Sequence, residues 1–312
     1  MRVAILGAGG VGSYYGGTLA RAGHDVVVLA RGPNLEALRS RGLEVRSPDG
    51  TFTVRVEVTP DATALGRPDL AIVAVKTYSL ADVTPAVRRA AEAGAAVVPL
   101  LNGVEAADRL VDGGVPGSAV LGGLTQISAV RTAPGVVERR SSFQRVVVGE
   151  LARGRSERAA AIAAAFRSAG VDAEASLDVR ADLWRKLGFI AAMAAACGLA
   201  RSPIGPVLAA PLGRRLVERA VAEVFAVARG LGIRLADDEE ARVLAFIETL
   251  PGGLKPSFLL DLEAGGPTEL DDLCGAVSRA GRRVGVETPV HDTAAAALGV
   301  AARAGAGPGP GA

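Results

Sequence analysis

Short, uninterrupted apolar runs alternate with helical periodicity through the first half of the chain. Arg2 to Leu6, Asp25 to Ala30, Leu70 to Val75, Ala96 to Leu101 and Ala119 to Thr125 read as strands buried within a parallel sheet. Helical patterns begin near Gly12, Pro33, Leu80 and Glu105. Strand and helix in alternation predict an α/β fold, a Rossmann-type doubly wound and mainly parallel sheet with helices on both faces. Between the second helix and the third core strand, LEVRSPDGTFTVRVEV alternates about Asp49 and Gly50, which predicts a hairpin. A second antiparallel piece, GVVERR followed by QRVVVGE, is expected to add edge strands, before a helix over Ser156 to Ser168 and a short segment near Val171.

From Val179 onward the texture changes to an alanine-rich, almost wholly helical pattern. Turn signals punctuate it at Arg201 to Pro206, Pro251 to Pro256 and Gly265 to Pro267. The expected organisation is an α/β domain over residues 1–176, an all-α domain over 177–304, and a disordered low-complexity tail over 305–312. The apolar helix faces of the second domain serve equally as core or as the seam of a homodimer, and both stay open.

Composition narrows the function classes. The 312 residues carry a net charge of +2 with both signs interspersed, so there is no basic stripe for nucleic acid. The longest apolar stretch, Leu187 to Leu199, is shorter than the roughly 18 to 20 residues of a bilayer span, so no membrane partner is expected. Cys197, Cys274, His24 and His291 have no metal-ligand spacing, and the two cysteines suit reduced cytoplasmic thiols. Of 35 basic side chains only Lys76, Lys186 and Lys255 are lysine, leaving 32 arginines. Arginine cannot give up a proton near neutrality, whereas a buried ammonium can have its pKa lowered and act as a general acid. Position along the chain then decides which of the three lysines is available for chemistry.

Gly7, Gly9 and Gly12 form GxGxxG directly after the first strand and at the head of the first helix. That context predicts a dinucleotide-binding turn, Gly7-Ala8-Gly9-Gly10-Val11-Gly12, with a pyrophosphate on the helix N-terminus. About twenty residues on, where an NAD site places Asp or Glu, stand Ala30, Arg31 and Gly32; Arg31 suits the 2′-phosphate of NADP. Lys76 ends the next strand, Asn102 and Gly103 the one after, and Ser128 follows the fifth. Polar groups at successive strand ends favour a lined cleft, although Asn-Gly is also a common turn pair.

Lys186 lies in DLWRKLGF at the start of the alanine-rich helix, Ser257 in KPS, and Glu269 in GGPTELD twelve residues beyond it. In order and spacing, GxGxxG at Gly7, Lys76, NG at Asn102, WRKL at Lys186, PS at Ser257 and TELD at Glu269 resemble the ketopantoate reductase (2-dehydropantoate 2-reductase) family over essentially the whole chain. The resemblance implies NADPH-dependent reduction of a small 2-oxo acid to a 2-hydroxy acid, a step of pantothenate biosynthesis. It implies Lys186 as proton donor, substrate contacts from Asn102 and Ser257, and a cofactor pocket completed by Lys76, Asn102 and Glu269, with Glu269 also counted in the catalytic set.

The chain departs from that family at two positions. Asparagines usually stand four and eight residues after the lysine, on the same helix face; here Ile190 and Ala194 occupy the substrate-facing positions. An apolar wall is expected to depress the Lys186 pKa by desolvation while Glu269 opposes it. The expectations are then a weak ketopantoate reductase or an enzyme for a more apolar oxo compound. A two-domain dehydrogenase acting on hydroxy acids or imines and a non-catalytic NADP-binding sensor are the alternatives.

Overall fold

A computed structural model describes residues 1–305; the expected tail, except its first residue, lies outside the described residues. Two compact units form, one from residues 1–101 and 106–179, the other from 102–105 and 180 onward.

The first unit begins with β1 (Arg2–Leu6), α1 (Gly10–Arg21), β2 (Asp25–Leu29), α2 (Gly32–Arg41), the hairpin β3 (Leu43–Ser47) and β4 (Gly50–Val54), and β5 (Glu57–Thr59). It continues through β6 (Leu70–Val73), α3 (Leu80–Glu92), β7 (Ala96–Pro99), α4 (Ala106–Asp112), β8 (Gly122–Gln126), β9 (Ala129–Ala133), β10 (Val136–Arg139), β11 (Arg145–Gly149), α5 (Glu157–Ser168) and β12 (Asp172–Ala175). The main sheet has the order β5-β2-β1-β6-β7 and is parallel throughout. Its strands are continuous apolar runs because both faces are covered: Val3 and Ile5 enter one core with Tyr15, Leu19 and Phe166, while Ala4 and Leu6 enter another with Leu80, Val87 and Leu110.

Two expectations about strands are corrected. The run at Ala119 to Thr125 does not extend the parallel sheet. Its ladder pairing with β7 is confined to the single parallel Val97–Val120 bridge, and from Gly122 to Gln126 it pairs antiparallel with β11. Gly123 sits so close to Val98 and the Pro99 carbonyl that a Cβ would meet them at 2.5 and 2.8 Å. The second correction concerns GVVERR and QRVVVGE, which do not pair with each other. Strand β10 lies between β3 and β9, and β11 is the central strand of β12-β11-β8. Those partners are set by tertiary contact, which a local alternation cannot reveal.

The second unit contains α6 (Val179–Ala200), α7 (Ile204–Ala209), α8 (Pro211–Gly230), α9 (Glu239–Glu248), α10 (Ser257–Glu263), a π-helical turn (Asp271–Gly275) running into α11 (Ala276–Val284), and α12 (Pro289–Gly305). By length and composition α6 passes as a membrane span, longer than the apolar run alone suggested, but two-thirds of its apolar window is buried in the protein. Its small residues explain that burial. A Cβ on Gly188 would meet the Phe225 ring at 2.6 Å, and one on Gly198 would meet Leu298 and Phe258 at 2.9 Å, so glycine and alanine admit the neighbouring helices closely. At the start of α12, the buried Glu223 carboxylate accepts from the Val290 and His291 backbone N–H groups and from His291 Nδ1, as the positive end of a helix favours.

Candidate active site

In the first unit, Gly7 lies where the order of strands reverses between β1 and β6, the place where ligands of open α/β sheets collect. Its φ is +122°, and a Cβ there would stand 2.6 Å from the Ala74 carbonyl carbon. Side chains at Gly10 and Gly12 would run into the Ala129 and Gly7 carbonyls respectively. Gly9 is different: the nearest atom to its Cβ direction is 3.9 Å away. Three glycines of the turn are thus packed against protein while the fourth faces open space. Gly9 also precedes α1, whose N-terminus has no side-chain cap and no acidic residue in its first turn. Its orphan N–H groups and open approach fit a pyrophosphate.

Arg31 follows β2 as the exposed residue before α2, and Lys76 is exposed at the turn after β6. Ser128, between β8 and β9, is exposed and tied through its backbone, its N–H donating to Ser141 Oγ and its carbonyl accepting from the Arg140 N–H. Sequence reasoning missed two residues here. Asn34 Nδ2 and Arg131 Nη1 both donate to the Ala8 carbonyl within the turn, at 3.4 and 3.3 Å. Nothing in the local pattern of β9 marks Arg131, because its partner lies 123 residues away.

In the second unit, Lys186, Asn102 and Glu269 form one hydrogen-bonded line. Lys186 Nζ donates to Asn102 Oδ1 at 3.0 Å, and Asn102 Nδ2 donates to Glu269 Oε2 at 3.0 Å. An ammonium can only donate and a carboxylate can only accept, so the amide has a single satisfactory orientation. Glu269 is buried, and Lys186 and Asn102 are half-buried. Burial lowers the Lys186 pKa from 10.5 to about 8, opposed by the charge of Glu269. The neighbouring cation serves differently: Arg185 forks onto Glu239 at 2.6 to 2.9 Å and pairs with Asp182 at 2.6 Å.

Other candidates stand apart from this line. Ser257 is exposed at the start of α10 and makes no hydrogen bond to the three among the described residues. Ile190, one turn beyond Lys186, is half-buried against the helical core; Ala194 has no accessible surface and is part of that core. Lys255 is paired at 2.8 Å with both oxygens of Glu263.

A doubly wound sheet with a glycine turn at its switch point, joined in one chain to a helical unit carrying a half-buried lysine, has the makings of an oxidoreductase. The chain belongs to the ketopantoate reductase family: residues 3–153 match the family description "Ketopantoate reductase PanE/ApbA" and residues 178–302 its C-terminal domain. A 2-dehydropantoate 2-reductase of Halobacterium salinarum is 34% identical over 307 residues, covering 97% of this chain and 99% of its own. The crystal structure of a PanE/ApbA family ketopantoate reductase from Ralstonia eutropha superposes with a TM-score of 0.89 at 31% identity, covering 98% and 100% of the two chains. A D-mandelate dehydrogenase solved with NADH and anilino(oxo)acetate shares the fold at 23% identity and a TM-score of 0.88, covering 98% and 100%.

Proposed function

We propose that this protein reduces a 2-oxo acid to the 2-hydroxy acid with NADPH, and that Lys186 donates the proton. The observation that carries this reading is the line Lys186–Asn102–Glu269, with its ammonium brought by burial to a pKa of about 8. A lysine so tuned is charged near neutrality yet gives up its proton readily, which suits a general acid.

The cofactor would be held by the turn Gly7 to Gly12, with Arg31 taking the 2′-phosphate, Lys76 a phosphate of the same ligand, and Ser128, Asn102 and Glu269 bordering it. When bound, the reduced nicotinamide supplies a hydride. As negative charge develops on the carbonyl oxygen, Lys186 stabilises it and then delivers a proton to it. Asn102 fixes the direction of the ammonium, and Glu269 keeps it charged in its desolvated setting. Ser257 and Ile190 would touch the substrate, with Ala194 behind them in the core. The two buried free cysteines suit a cytoplasmic enzyme.

Within this reading, ketopantoate is one substrate and a more apolar 2-oxo acid is the other. The second is favoured by Ile190, which offers no hydrogen bond to a substrate hydroxyl. A screen of 2-oxo acids, ketopantoate among them, followed by NADPH oxidation decides between them. Efficient and selective turnover of ketopantoate sinks the apolar version. Tight NADPH binding without turnover of any oxo acid sinks the reductase reading in favour of a sensor.

A further inference from the structure

Asn102 is held by its surroundings as well as by its two hydrogen bonds. Gly103 follows it with φ +88°, and a Cβ there would lie 2.8 Å from the Asp272 carbonyl oxygen, so the turn carrying Asn102 rests against the π-helical turn that follows Glu269. The carbonyl of Glu269 itself accepts from the Asp272 and Leu273 N–H groups. Arg279, on the first turns of α11, reaches both segments. Its Nη2 donates to Glu105 Oε2 at 2.7 Å and to the Asp271 carbonyl at 3.0 Å, while Nη1 donates to Asp271 Oδ1 at 2.5 Å. Glu105 is three residues after Asn102, and Asp271 two after Glu269. One planar guanidinium thereby ties together the two segments that carry the amide and the carboxylate.

We propose that Arg279 is a positioning residue that sets Asn102 in register with Glu269, and through them the place and charge of Lys186. The proposal rests on the reading of Lys186 as the proton donor. A fork suits this: a lysine would supply the charge but would not hold both partners in fixed directions. The Arg279 side chain is about one-third exposed, at 34%, so its ion pairs contribute little to stability. Its effect falls on geometry instead, where a displacement of about 1 Å at a reacting group costs on the order of a hundredfold in rate. The charged groups about Arg279 are Glu105, Asp271, Arg282 and Arg283, and the charge acting on Lys186 is that of Glu269.

The test uses the full-length protein with Arg279→Gln, Arg279→Lys and Glu105→Gln. Two quantities are read: kcat with the best 2-oxo acid, and the pH midpoint at which Lys186 becomes reactive to an amine-acylating reagent, located by peptide mass spectrometry. In R279Q, kcat is expected to fall at least about tenfold and the midpoint to move to lower pH, because the support of Glu269 is weakened. R279K recovers part of both, and E105Q moves both in the same direction by less. An unchanged midpoint and kcat in R279Q overturns the proposal. So does a loss confined to melting temperature, or an E105Q protein indistinguishable from wild type. If the wild type turns over no oxo acid, the reductase reading fails, while the Lys186 midpoint still tests the role of Arg279.

Discussion

Lys186 and Asn102 meet at 3.0 Å across 84 residues of sequence, and that hydrogen bond makes an arginine-rich chain's lysine a candidate for chemistry. Other cations of the chain meet carboxylates directly: Arg185 on Glu239, Arg158 on Glu150, Arg145 on Glu174 and Lys255 on Glu263. Lys186 instead meets a neutral amide, with the carboxylate one residue further away.

Replacing Lys186 separates charge from proton donation. Lys186→Ala is expected to lower kcat by about 10²- to 10⁴-fold. Lys186→Arg keeps the charge without an exchangeable proton near neutrality and should remain close to that level. NADPH binding, followed by cofactor fluorescence, should survive in both. Turnover retained in K186A removes the proton-donor role.

The pH profile carries a sign. Burial puts the Lys186 pKa at about 8, and the proposed proton transfer needs the ammonium. In the reducing direction kcat/KM should therefore be flat below that value and fall with a slope of one above it. Glu269→Gln removes the charge that raises this pKa, so the alkaline limb should move to lower pH. A limb unmoved in E269Q would show that the titrating group is another residue.

Glycine positions in the cofactor turn should divide cleanly. Gly10→Ala and Gly12→Ala drive a methyl into backbone carbonyls and should lower both the melting temperature and NADPH affinity. Gly9→Ala meets only open space in the protein, so its melting temperature should stay near wild type. The methyl then occupies the approach to the helix N-terminus, and NADPH should bind about tenfold or more weakly. Equal NADPH affinity in G9A and wild type would falsify the phosphate site.

Arg31 is exposed, and among the described residues no ion pair occupies it. Loss of a charged hydrogen bond to a phosphate costs about 1.5 to 3 kcal/mol. Arg31→Ala should accordingly raise the Kd of NADPH by roughly 10- to 100-fold while leaving that of NADH nearly unchanged, as isothermal titration with both cofactors can read.

Ile190 stands one turn from Lys186. Ile190→Asn should shift the ratio of kcat/KM values towards hydroxyl-bearing oxo acids by about tenfold or more, since a new donor and acceptor meet the hydroxyl. An unchanged ratio would mean that Ile190 lies away from the substrate.

Much of the α/β unit was legible because its signals are local. Runs such as RVAIL and LAIV are apolar without interruption only when both faces are covered, and the glycine turn follows the first of them directly. The strand at Gly122 was misplaced because its antiparallel partner, β11, lies beyond β9 and β10 in the chain. Ala194 shows the same limit on a helix: its spacing from Lys186 puts it on a shared face, but packing against neighbouring helices leaves it no accessible surface.

The sequence by itself determined the alternation that makes a doubly wound sheet, the glycine turn at its first strand end, and the rarity of lysine that drew attention to Lys186. Those are properties of neighbouring residues, read from period, turn chemistry and side-chain type. Only the tertiary structure decided that Asn102 lies between Lys186 and Glu269, that Arg131 and Asn34 donate to the glycine turn, and that Arg279 ties Glu105 to Asp271. Each joins residues distant along the chain, or fixes where a side chain points. A pKa of about 8 follows from the same source, because desolvation depends on how many atoms the fold gathers around an ammonium.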